Sequence, residues 1–150
     1  MFLKSILTLS CLNQVPTFLK LYYTDNELKY NNELMTLICT QTIIGSVSDI
    51  YRLVYNYKNY LSSCLRILDM VHVSCISIPA IFYTIYINDL NYINNIQYLF
   101  YAFLFWCNSY ILYTNNTNVD NILNDLSIWN HVLWHLFMGI FTYNLISYST

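Results

Sequence analysis

The 150-residue chain has the length of one domain, with 57% hydrophobic and 18% aromatic residues but only 9% charged; an ordinary soluble domain carries roughly 25% charge. Six basic and eight acidic residues leave a net charge of −2 and no basic stripe, which excludes a nucleic-acid partner. Two Gly and two Pro are too few for a turn-rich soluble fold, so lipid is the expected solvent. Mean hydropathy is a modest +0.40 because Asn and Tyr crowd the loops and helix ends. Tyr suits a membrane–water interface, since its ring is apolar and its tip is wet.

Five apolar stretches follow in chain order. The first, about Phe2 to Tyr22, is interrupted by Asn13-Gln14 and Pro16. Its start, one Lys and an apolar run, has the look of a signal peptide but lacks a small-residue cleavage site, so it reads as a retained first helix. A polar stretch, Thr24 to Glu33, leads to the second, about Leu34 to Tyr55, with Asp49 and Arg52 near its end. The third, about Tyr60 to Ile87, holds Arg66, Asp69 and His72 in its first half, and Pro79 predicts a kink. The fourth, about Tyr92 to Tyr113, is rich in aromatics; a polar loop from Thr114 to Asp125 precedes the last, about Ser127 to Tyr148. Each reaches the roughly 20 residues that cross about 30 Å of hydrocarbon. In lipid a strand would leave backbone groups unpaired, and the alternation of a barrel is absent. The expectation is therefore all-α: one transmembrane helical domain over residues 1–150, multi-pass, with about five helices and membrane lipids as its partners.

Orientation is contradictory. Lys4, Arg52, Lys58 and Arg66 fall on one side of a five-span arrangement and Lys20 and Lys29 on the other, which puts the N-terminus in the cytosol. The glycosylation sequon Asn115-Asn116-Thr117 lies on that same side and argues the reverse. The cysteines Cys11, Cys39, Cys64, Cys75 and Cys107 form no CxxC pair and read as small buried apolar residues.

Three groups can carry chemistry. In His131-Val132-Leu133-Trp134-His135 two histidines four apart stack on one helix face, where both imidazoles reach one divalent metal, most often zinc. Asp69 and His72, three apart, share a face. Asp69 is costly in lipid unless a metal or Arg66 compensates it. Ser46 and Ser48 can each donate a hydrogen bond within such a site, or make an ordinary interhelical contact. Span parity unites the three groups: late in one span, early in the next, and early in the last places them all toward one bilayer face.

A serine motif, an Asp and a closing HxxxH in successive spans resemble a membrane hydrolase-like superfamily of alkaline ceramidases, PAQR receptors, haemolysin III and myomaker-like proteins. The myomaker-like branch is the closest in pattern. Leu9-Ser10 followed by Pro16 resembles its opening helix, Ser48-Asp49-Ile50-Tyr51-Arg52 its Ser-x-x-Tyr-His motif, Cys64 to Ile87 its Asp-bearing helix, and Trp129 to His135 its closing motif. The resemblance implies a seven-helix bundle, here in reduced form, with zinc on three histidines and Asp69 with Ser46 or Ser48 assisting catalysis. One family ligand position holds Arg52, which cannot ligate zinc. Either the site is degenerate, or His72 joins His131 and His135 as third ligand. Three functions are open: a non-catalytic lipid-binding or membrane-remodelling relative, a zinc-dependent lipid amide hydrolase, and a receptor or small transporter, although no transporter repeat is present.

Overall fold

The computed structural model describes residues 6–7, 9–23, 30–55, 60–90, 92–115 and 121–147, and all regular structure among them is helical. A 3₁₀ turn at Cys11–Gln14 leads into α1 (Val15–Tyr23). Then come α2 (Asn31–Tyr55) and α3 (Tyr60–His72), which continues through a π-helical turn (Val73–Ser77) into α4 (Ile78–Ile87). A second 3₁₀ turn (Ile93–Asn95) opens α5 (Ile96–Asn115), and α6 is Asn121–Ser147. With α3 and α4 taken as one rod, five helical rods stand where the hydrophobic pattern puts five stretches.

Two prolines set local detail. Pro16 has no N–H, so the Leu12 carbonyl, its α-helical partner, would go unbonded. The tighter 3₁₀ turn solves this, because Val15 N–H donates to Leu12 O. Pro79 disturbs the third rod upstream of itself. It offers no N–H to the Cys75 carbonyl, and the helix widens just before it, with Ile78 N–H donating to Val73 O in an i→i−5 bond. The expected kink is thus a π-turn over Val73–Ser77.

Helix ends are satisfied by side chains and turns. Tyr30 takes the left-handed conformation at φ 64° just before α2, and Asn31 Nδ2 donates to Leu21 O at 3.0 Å, occupying an end carbonyl of α1. At the end of α4, Asp89 takes the left-handed conformation at φ 51° and Leu90 N–H donates to Ile85 O at 3.0 Å. This is a Schellman closure, with Leu90 and Ile85 both buried against the core. The start of α6 at Asn121, six residues before the expected Ser127, is not marked by hydropathy. Ser127 is instead buried against α5: Ser109 Oγ donates to Ser127 O at 2.9 Å and Ser127 Oγ to Ser109 O at 3.0 Å. This reciprocal pair draws the α5–α6 hairpin together through small residues.

The core gathers Leu21, Leu34, Ile38, Ile85, Phe141 and Leu145 from α1, α2, α4 and α6. Phe137 of α6 stacks among α5 rings, 5.5 Å from both Tyr101 and Phe105. Outside the core many large aliphatic and aromatic side chains are exposed. Cys39 and Cys75 are exposed and Cys64 and Cys107 half-buried, not buried as expected, because these positions face outward from the bundle. Among the described residues two helical stretches are long and apolar enough to cross a membrane, Asn31–Tyr51 and Ser63–Ile87, with mean hydropathies of 1.2 and 1.7. The side chains of Arg52 and Lys58 and the sequon residues Asn116 and Thr117 lie outside the described residues.

The two glycines make opposite demands on their helices. A Cβ at Gly139 would lie 2.9 Å from both the backbone oxygen and the Nδ2 of Asn13, whereas at Gly45 the nearest atoms are at 3.7 and 3.8 Å, an ordinary contact. Gly139→Ala is expected to destabilise the protein by about 1–3 kcal/mol through overpacking. Gly45→Ala is expected to be neutral or to stabilise by up to about 1 kcal/mol through helix propensity. Thermal melts of the two variants in the same detergent check the difference in sign.

Candidate metal centre

The site is built from three helices. On α2, Gln41, Gly45 and Asp49 recur at intervals of four and form one stripe. On α6, His131 and His135 project side by side, their ring centroids 4.8 Å apart and their planes at 78°. The two imidazoles converge on Asp49: His131 Nε2 stands 3.3 Å from Oδ1 and His135 Nε2 3.3 Å from Oδ2. The Asp49 side chain is only 5% exposed. One ligand atom from each of the three residues can be chosen so that all lie within 4.8 Å of one another.

The donor set fits a metal. Two imidazoles and one carboxylate are a donor set that catalytic zinc sites use. The two 3.3 Å contacts run to different oxygens of Asp49, and the His135 contact is within hydrogen-bonding range. Ligands held tetrahedrally at about 2.0–2.1 Å from zinc lie about 3.3–3.4 Å from one another, so the three donors, one atom each within 4.8 Å, would draw together on binding the ion.

A second carboxylate, Asp69 of α3, stands beside this group. Gln41 Nε2 donates to Asp69 Oδ1 at 2.9 Å. The Gln41 carbonyl accepts from His72 Nδ1 in a short hydrogen bond and from Ser77 Oγ at 3.2 Å. Since Oε1 can only accept, the proton lies on His72 Nδ1, and the amide orientation is determined by its partners at both ends. The π-turn makes this possible. Residues five apart on an α-helix point about 140° apart, yet Ser77 Oγ lies 3.2 Å from His72 Nδ1, because the wider turn aligns i with i+5.

The site borders a cavity of about 90 Å³ between α2, the α3–α4 rod and α6, lined by Asp69, Gln41, His131 and His135 and elsewhere mainly by aliphatic side chains, with Trp106, Trp134 and several threonines among them. Asp69, His131 and His135 meet here, as span parity implies. His72 does not join the pair: it is spent on Gln41 and Ser77, and Asp49 takes the place of third donor. Ser48 is buried next to Asp49 and Ser46 is half-buried, but neither lines the cavity, because the helix turns them off the stripe that carries Gly45 and Asp49. Sequence reasoning passed over Asp49, Gln41 and Ser77. A signal for the first two was present, two polar residues eight apart, and so on one face, inside an apolar helix. Nothing marked Ser77, whose alignment with His72 needs the π-turn.

No family model, curated protein or solved structure matches this chain. The site thus rests on its own geometry.

The full-length chain, purified in detergent with zinc present, is expected to carry about one zinc per chain. His131→Ala and Asp49→Ala are each expected to lose at least 10-fold in affinity, whereas His72→Asn keeps the metal. Elemental analysis after dialysis against graded chelator reads all four proteins.

Proposed function

We propose that this protein is a multi-pass membrane hydrolase that holds zinc on Asp49, His131 and His135 and cleaves an amide of a membrane lipid. The observation that carries the reading is the grouping of these three donors beside a largely apolar cavity that two of them, His131 and His135, line together with a second carboxylate, Asp69. Membrane residence is supported by the outward faces of the two long helices. Only 28% and 22% of their most apolar windows is buried within the bundle, so large aliphatic and aromatic side chains face out. Exposed Thr36 and Thr40 return their hydroxyls to carbonyls one turn back, at 2.9 and 2.8 Å, which satisfies them without water.

The resemblance to the ceramidase and myomaker-like superfamily gives the same reading a family setting. Arg52 at a family ligand position points toward a non-catalytic relative. Asp49, three residues earlier, removes that objection by providing a third donor.

Zinc held by Asp49, His131 and His135 would supply Lewis acidity to a carbonyl and lower the pKa of a water toward neutrality. The chain does the rest. Asp69, oriented by Gln41 and through it by His72 and Ser77, takes the proton from the attacking water. It returns that proton to the departing nitrogen as the C–N bond breaks. The aliphatic walls hold the acyl part and keep bulk water from the reacting carbonyl.

The chain is expected to stay with the bilayer after alkaline extraction. Reconstituted in vesicles, it is expected to hydrolyse a long-chain N-acyl amide in a zinc-dependent way. Asp69→Asn is expected to retain zinc and lose at least about 100-fold in turnover. Zinc binding with no turnover against a panel of N-acyl lipids would instead assign the chain to the non-catalytic, lipid-binding class.

A further inference from the structure

A seam runs along the bundle between the α3–α4 rod and the α5–α6 hairpin. Among the described residues, no Cα of the rod comes within 8 Å of a Cα of α5 or α6. The cavity occupies this space, with Met70, Val73 and Ser77 on the rod side and Trp106 and His135 on the hairpin side. At the far end it is closed, where Ile85 joins Phe141 and Leu145 in one core cluster. At the side it is open: Ser74 lines the cavity and is exposed at the surface.

Near the metal centre the seam is bridged by side chains. Cζ of Arg66 stands 5.3 Å from the centroid of the Tyr110 ring. Arg66 precedes Met70 by four residues and Tyr110 follows Trp106 by four, so each stands one helical turn beyond a lining residue and on the same face. The bridge thus continues both walls of the cavity. Arg66 lies three residues inside the apolar stretch Ser63–Ile87, about 4.5 Å from its end along the helix. From that depth a long basic side chain reaches the headgroup level of a bilayer. The Tyr110 ring attracts the guanidinium charge and holds it over the seam, and a guanidinium fork matches the paired oxygens of an anionic headgroup.

We propose that a bilayer lipid enters the cavity sideways through this seam and that Arg66 binds its anionic headgroup. Asp69 and the metal centre lie about one turn deeper, where the amide of such a lipid is presented, and the acyl chain runs on along the aliphatic wall. This narrows the substrate class to N-acyl lipids whose amine part carries an anion a few bonds from the amide, as a phosphate ester does. The inference deepens the hydrolase reading and rests on it for the cavity being a lipid site.

The test is stopped-flow fluorescence of the zinc-loaded full-length chain in phosphatidylcholine nanodiscs. Trp106 and Trp134 line the cavity and report its occupancy, and Trp129→Phe removes the third tryptophan. The probes are N-dodecanoyltaurine, whose sulfonate is a weak ligand for zinc, and N-dodecanoylethanolamine, its neutral counterpart. The sulfonate is expected to bind about 10-fold more tightly. Arg66→Gln is expected to erase that ratio and keep the zinc stoichiometry. Arg66→Lys is expected to keep part of the ratio, having the charge without the fork. Ser74→Phe, at the opening, is expected to slow association and dissociation together by about 10-fold and to leave affinity nearly unchanged. Equal binding of the two probes to the native chain, a ratio that survives Arg66→Gln, or displacement of the sulfonate by millimolar inorganic phosphate would overturn the headgroup assignment, the last by showing a site for free anions. Unchanged rates in Ser74→Phe would overturn the sideways route. Failure of the hydrolase reading is separate: it shows as absent zinc or absent turnover, whichever probe binds better.

Discussion

The buried Asp49 carboxylate between two imidazoles is the constraint around which this bundle is arranged. A carboxylate on a side chain only 5% exposed cannot stay ionised in an apolar interior without partners, since an uncompensated buried charge costs several kcal/mol. The partners come from α6, more than 80 residues later in the chain. Their contact fixes the approach of α2 and α6, and with it the width of the cavity between them. The aliphatic core under the cavity and the aromatic cluster around Phe137 supply bulk packing, which is tolerant of exchange. The Asp49 group is directional and is not.

Around this centre the polar side chains are arranged in order of dependence. Gln41 stands between Asp69 and the His72–Ser77 pair, and its amide has one orientation that satisfies all of them. That orientation depends on the π-turn, and the π-turn sits immediately before Pro79. An imino acid that contacts none of these groups thereby governs where a carboxylate in the cavity points. Helical irregularities at functional sites have this character: the backbone departs from its optimum so that side chains five apart can act together.

Where the 3₁₀ turn before α1 crosses α6, close backbone approach sets the residue. Gly139 lowers the helix propensity of α6, but a Cβ there would lie 2.9 Å from the backbone oxygen of Asn13, so even alanine is crowded whatever side chain position 13 carries.

The helical class and the approximate extent of five helices were legible in the sequence because hydrophobic runs of this length, poor in charge, have few other solutions. The HxxxH pair was legible because residues four apart share a helix face whatever the helix packs against. Asp69 was legible as an ionisable residue in an apolar run. Only the tertiary structure decided that Asp49, not His72, completes the donor set, that Ser46 and Ser48 stand off the cavity, and that Asn13 lies against Gly139. Each of these depends on the rotation of one helix about its own axis relative to another. That rotation is set by side-chain packing between segments distant in the chain, which periodicity within a single helix does not encode.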